Sequence, residues 1–187
     1  MMTVTELDIP GLLLIEPRVF VDARGAFMEI HQAARYREHG FDAAFVQDNL
    51  SRSRRNVVRG LHFQRRHPQG KLISVVRGAI YDVAVDLRPG SDTFGQHVGI
   101  ELSDANRRQL WVPPGFAHGF CALADADVLY KCTDYYHPED EGGLLWNDPA
   151  LGIEWPVTEP ILSERDRQHP PLAAIAPDEL PTAEATA

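Results

Sequence analysis

The fold is most constrained by the run Ile80-Tyr81-Asp82-Val83-Ala84-Val85-Asp86-Leu87. Tyr81, Val83, Val85 and Leu87 share one face, and Asp82, Ala84 and Asp86 share the other. That is the period of a strand, not of a helix. Similar short runs cover residues 12–15, 19–20, 27–30, 45–49, 72–76, 98–102, 109–112, 119–123 and 128–135. Glycine and proline, 14 of each, punctuate them, as in Asp22-Ala23-Arg24-Gly25, Arg77-Gly78 and Pro113-Pro114-Gly115. Helical patterning is limited to residues 32–39, followed by Gly40, and to a short segment opened by Ser163, a good N-cap. Many short strands with turns between them predict an all-β chain. The expected form is a jelly-roll barrel with a few short helices, whose mouth can enclose a ligand. A chain of 187 residues fits one domain, read here as residues 1–172. Residues 173–187, rich in Ala, Pro and Glu, are expected to form a loosely held tail.

The net charge of -9 argues against general nucleic-acid binding. Yet no acidic residue occurs between Asn49 and Tyr81, a window that holds Arg52, Arg54, Arg55, Arg59, Arg65, Arg66, Lys71 and Arg77. Such a segment in an acidic chain points to a specific anionic ligand, or to a basic loop answering acidic patches elsewhere. No secretory signal and no bilayer-spanning apolar run is apparent, so a cytoplasmic protein without membrane contact is expected. Cys121 and Cys132 sit in apolar surroundings and read as reduced, buried thiols; pairing them would require compatible geometry.

Candidate chemistry centres on Arg59-Gly60-Leu61-His62-Phe63-Gln64. If this is a strand, His62 points opposite to Leu61 and Phe63. It then has a buried partner or faces a pocket. Pro113-x-Gly115-x-x-His118 matches the second signature of cupin barrels, where the histidine often binds metal. The first signature normally supplies two histidines one residue apart and a glutamate, and His62 lacks that setting. No metal is therefore expected. Without metal, His62 suits a general base and Lys71 an oxyanion stabiliser. Tyr130 suits an acid or simply a half-buried strand tyrosine. An acidic residue behind the histidine would fix its tautomer; the residue pattern alone leaves that acid open.

These residues lie within a larger pattern. Arg59 to Gln64, Gly70-Lys71-Leu72, Asp82 to Arg88, Gln109-Leu110-Trp111, Gly115 to Phe120, Leu129-Tyr130-Lys131, Trp146-Asn147-Asp148-Pro149 and Gly152 to Pro156 resemble the dTDP-4-dehydrorhamnose 3,5-epimerase family. The resemblance spans residues 12–172. It implies a homodimeric, cofactor-free jelly roll acting on dTDP-4-dehydro-6-deoxyglucose at C3 and C5. It further implies His62 as base, Lys71 on the enolate oxygen, Tyr130 as acid, and Asp166 as partner of the base. Arg24, Arg59 and Arg165 would meet the diphosphate or sugar, with Glu29, Gln47, Asp48, Asn49, His118 and Glu141 also in contact, and Tyr136 would stack on thymine. Arg24 and Glu29 would reach the neighbouring subunit's site. The family often has lysine where Arg165 stands. Arg52, Arg54, Arg55, Arg65 and Arg66 are left as surface charge. Relatives that invert a single centre, and a non-catalytic sugar-nucleotide binder, are the alternatives.

Overall fold

The alternation becomes thirteen strands in a computed structural model that describes residues 1–182. In chain order the first are β1 (Thr3–Glu6), β2 (Leu13–Glu16), β3 (Val19–Asp22) and β4 (Gly25–Met28), followed by helix α1 (Ala33–Glu38). Next come β5 (Gln47–Ser53), β6 (Val58–Gln64), β7 (Lys71–Arg77), β8 (Ala79–Asp86), β9 (His97–Ser103), β10 (Gln109–Val112), β11 (Phe116–Ala122) and β12 (Ala126–Cys132). Strand β13 (Glu141–Gly143) and helix α2 (Glu164–Arg167) complete the set. A six-stranded sheet has the order β1-β2-β10-β7-β12-β5, and a five-stranded sheet the order β13-β6-β11-β8-β9. Strands β3 and β4 pair only with each other.

Three apolar clusters follow from strand parity. Ile73, Val75, Leu110, Val112 and Val128 of the larger sheet meet Ile80, Ala84, Leu102, Phe116 and Phe120 of the smaller one, filling the interior. Val83, Val85, Leu61, Phe63 and Ala117 face outward from the smaller sheet, against Leu144, Leu151 and the C-terminal segment. Ile15, Leu72 and Trp111 face outward from the larger sheet and are covered by Met2, Tyr36 and Phe41. The two faces of β8 read from the sequence are thus both buried, one in each of two cores.

Several boundaries differ from expectation, three of them for a visible reason. Strand β5 starts at Gln47, because Phe45 turns away to join an aromatic group with Phe41 and Trp111. Strand β11 starts at Phe116, since residues 116–118 already pair with β8. Strand β12 ends at Cys132, the last residue matched to β5 and β7. Toward the C-terminus, Leu172, Ile175 and Leu180 pack on the outer face of the smaller sheet, and Thr182 N donates to the Arg65 carbonyl. The tail was expected over residues 173–187; its last five residues, 183–187, lie outside the described residues.

Gly60 permits the approach of β6 to β11. Its φ is +108°, and a Cβ there would lie 2.7 Å from both Gly119 Cα and the His118 carbonyl oxygen. Only glycine takes up that conformation and that space without strain. Among the described residues no helix is long and apolar enough to cross a membrane. Cys121 and Cys132 are both free and buried.

Candidate active site

Strand parity that buries Leu61 and Phe63 on the outer face turns His62 inward, into the mouth between the two sheets. There its Nε2 lies 2.7 Å from Asp166 Oδ1. Helix α2 presents that carboxylate: Ser163 Oγ accepts from Asp166 N at 3.0 Å and caps the helix. Burial by itself would raise the Asp166 carboxyl. The nearby His169 imidazole, 3.7 Å away, together with hydrogen bonding by His62 and Ser163, outweighs it and holds the group well below the usual carboxylate range. An ionised carboxylate can only accept, so His62 Nε2 carries the proton and Nδ1 is left with a lone pair.

The opposite wall belongs to the larger sheet. Lys71 and Tyr130 share the inward parity of Val75 and Val128, and both line the cleft with His62. Burial pushes the Lys71 ammonium below the ordinary lysine range, although Cys132, Glu141 and Asp82 pull the other way. Burial also raises the Tyr130 phenol, helped by Cys132, so it stays protonated at neutral pH. The cleft consists of two adjoining hollows of about 300 and 250 Å³ that share His62, Lys71, Tyr130 and Arg165.

A second histidine–carboxylate pair stands beside the first. His118 is the direct cross-strand partner of His62, and its Nε2 is hydrogen-bonded to Asp82 Oδ1 at 2.8 Å. Asp82 is fully buried, and its Oδ2 has no partner. At the rim, Arg165 reaches Glu141 at 2.5 Å, and the Tyr136 hydroxyl also donates to Glu141. Burial would raise the Glu141 carboxyl, but Tyr136 and Arg165 bring it below its ordinary value. Arg59 is anchored by Ser53 Oγ at 2.9 Å and the Arg52 carbonyl at 3.1 Å, and it edges the inner hollow.

The arrangement is a base held by a carboxylate, faced across a hollow by a desolvated ammonium and a protonated phenol, with arginines at the edge. A sequence model of the family dTDP-4-dehydrorhamnose 3,5-epimerase matches residues 6–174. The chain belongs to this family. It is 55% identical to the dTDP-4-dehydrorhamnose 3,5-epimerase of Methanothermobacter thermautotrophicus, over 90% of this chain and 92% of that one. It is 52% identical to the Salmonella typhimurium protein of the same name, over 92% of this chain and 96% of the other. The crystal structure of the Legionella pneumophila dTDP-6-deoxy-D-glucose-3,5-epimerase in complex with dTDP-4-keto-L-rhamnose superposes with a TM-score of 0.94. That protein is 50% identical, and the match covers 99% of this chain and all of that one.

Of the residues that the family resemblance singles out, the cleft gathers His62, Lys71, Tyr130, Asp166, Arg59, His118, Gln47, Asn49, Tyr136, Glu141 and Arg165. Asp48 is not among them: its parity in β5 is opposite to that of Gln47 and Asn49, and it pairs with Lys131 at 2.7 Å. Arg24 and Glu29 also lie apart. Arg24 sits on the β3–β4 hairpin bound to Asp22, and Glu29 pairs with Arg35 at 3.3 Å. Arg65 is not mere surface charge. It is half-buried, and its guanidinium donates to the Glu141 carbonyl at 2.7 Å, tying β13 to the chain just past β6. Two residues escaped the sequence reading. Asp82 had a signal, since it lies on the face of β8 opposite Val83. His169 had none, being a histidine in an irregular segment.

Proposed function

We propose that this cleft epimerises dTDP-4-dehydro-6-deoxy-α-D-glucose at C3 and C5, giving dTDP-4-dehydro-β-L-rhamnose on the way to dTDP-L-rhamnose. The observation that carries the reading is the 2.7 Å His62–Asp166 pair facing Lys71 and Tyr130 across one hollow. His62 Nδ1 takes the proton from carbon next to the C4 ketone, and Asp166 stabilises the imidazolium that forms. The electron pair moves onto the ketone oxygen, where the Lys71 ammonium meets the developing charge in a dry setting. Tyr130 returns a proton from the opposite face and inverts the centre. The ketone at C4 activates C3 and C5 alike, so one base and one enolate site serve both in turn. The reaction is redox-neutral, and the substrate's own ketone is the electron sink.

Arg59 and Arg165 suit the diphosphate, with their forked donors at the edge of the hollow. Tyr136 offers an aromatic face to thymine. The β3–β4 hairpin supports a homodimer: Phe20, Val21 and Phe27 are exposed on it, and it has no core of its own. Arg24 on that hairpin then serves the neighbour's cleft, with Glu29 just beyond it.

The test is NMR of dTDP-4-dehydro-6-deoxyglucose in deuterated water. Deuterium at both C3 and C5, with the product trapped by a reductase as the L-sugar, is expected. Deuterium at one carbon alone would make the chain a single-centre epimerase, and none at either would sink the proposal.

A further inference from the structure

The reaction just described gives no task to His169. Its ring stands edge-on to His62, with centroids 5.6 Å apart and planes at 78°. It fills the space over Gly143, where a Cβ would lie 2.1 Å from the ring. Its Nε2 is buried, has no hydrogen-bond partner and stands 3.7 Å from Asp166 Oδ1. His62 Nε2 meets the same oxygen at 2.7 Å. Two imidazole nitrogens and a carboxylate oxygen therefore converge within 4.8 Å of one another, the one such group among the described residues. A buried ring nitrogen without a partner is costly, and an ion that accepts its lone pair removes the cost.

We propose that His62, Asp166 and His169 form an inhibitory site for a divalent transition ion, zinc above all. Zinc takes nitrogen at about 2.0–2.1 Å and carboxylate oxygen at about 2.0–2.2 Å, usually in tetrahedral geometry. Its ligand atoms then lie roughly 3.3 Å apart. The two separations from Asp166, 2.7 and 3.7 Å, straddle that spacing, and the two histidine nitrogens lie within 4.8 Å of each other, so modest side-chain shifts close the site. Two nitrogens and one oxygen favour zinc, copper or nickel over magnesium or calcium. The His62 side chain is 31% exposed to the cleft, which gives the ion a way in and leaves room for water at the open position.

The consequence for His62 is a change of tautomer. An ion on Nε2 needs that lone pair, so the ring proton moves to Nδ1. Nδ1 is the nitrogen that would take the substrate proton, and a protonated Nδ1 takes none. The ion also occupies the Asp166 oxygen that would stabilise the imidazolium. Binding thus silences the base. Only this inhibitory part rests on the function proposed above; the binding does not.

The experiment is calorimetric titration of the metal-stripped full-length protein with zinc chloride, with cobalt(II) as an optical probe of coordination. One ion per chain and cobalt d–d bands are expected. His169→Phe keeps a ring over Gly143 but removes the nitrogen, and His169→Asn is a second variant should Phe disturb folding. Either should weaken zinc by more than the ~10- to 100-fold lost when a mere outer partner is removed. In the parent, zinc should halt deuterium exchange at the concentrations that fill the site, and chelation should restore it. The absence of saturable binding would overturn the proposal. So would undiminished binding in both His169 variants, or loss of binding on changing His67, which stacks on His137 at 4.2 Å beside Asp140. Stimulation by zinc would overturn the inhibitory part. Stripped protein that exchanges no deuterium would count against the proposed function alone, because heat and spectrum read the site without turnover.

Discussion

Replacing Asp166 with Asn tests the base and its support together. The substitution keeps the shape of the side chain and removes its charge. Asp166 Oδ1 lies 2.7 Å from His62 Nε2, and Asp166 itself is nearly fully buried. With charge centres about 4 Å apart and an effective dielectric near 20, an imidazolium and this carboxylate attract by about 4 kcal/mol. His62 is partly open to the cleft, so screening by water reduces this to about 2–4 kcal/mol. That stabilisation exists only once the base has taken its proton, so its loss falls on the transition state. The expected fall in the rate of proton abstraction is roughly 30- to 1000-fold. Asn adds a second penalty, because its amide can donate to the ring and favour the tautomer protonated at Nδ1. The assay is the initial rate of deuterium incorporation at saturating dTDP-4-dehydro-6-deoxyglucose, with circular dichroism to check the fold. A variant within threefold of the parent would refute the reasoning and reduce Asp166 to a structural anchor of α2.

Lys71→Met should lower turnover by about a hundredfold or more, with a smaller change in KM, because the ammonium acts on the enolate; equal binding loss and no loss of turnover would count against it. In the parent, burial lowers Lys71 and raises Tyr130. Loss of the Lys71 proton should therefore bring an alkaline fall in rate that begins below pH 10.5, the ordinary lysine value; a pH–rate profile that holds level past that value would contradict the assignment. Asp86 is fully buried; burial raises its carboxyl, but Arg88, Thr93 and Ser91 bring it down to about 2, from an ordinary 3.8. Its contribution is complete above pH 3.8 and fades as the pH falls through 2, and the gap is worth about 2 kcal/mol. Asp86→Asn should lose roughly that in urea unfolding at pH 7 and much less near pH 2; a loss independent of pH would point to packing instead. Gly60→Ala should cost about 2 kcal/mol or more, since its Cβ would strike the backbone of β11; an unchanged melting temperature would show that the strands can part freely.

What could be read in the sequence was what obeys a short period. The two faces of β8 and the inward aim of His62 follow from alternation, and the turn at Gly78 from its glycine, all of them local. The choice of Asp166 as partner of His62 came from resemblance, because 104 residues separate the two and no local rule joins them. The pairing of His118 with Asp82 was half legible: alternation put Asp82 opposite the apolar face but could not say which strand would lie next to it. The packing of Leu172, Ile175 and Leu180 was hidden because their spacing follows neither a strand nor a helix, and the surface they cover exists only once the smaller sheet has formed. Asp48 stands outside the cleft of its own chain for a simpler reason. It lies between two cleft residues in the chain, and in a strand adjacent residues face opposite ways.

Strand β6 has a further implication for how this chain can change over time. The base projects from one side of it while Leu61 and Phe63 lock the other into the outer core. Both sets are spaced by the same two-residue repeat, so inserting or deleting one residue would carry His62 into hydrocarbon and a core side chain into the cleft. Substitutions along this strand can be tried one at a time; changes of length cannot. Changes of length are therefore better borne at the rim, where Tyr136 sits on the irregular segment between β12 and β13, than along the strands and the short helix that hold the base and its carboxylate.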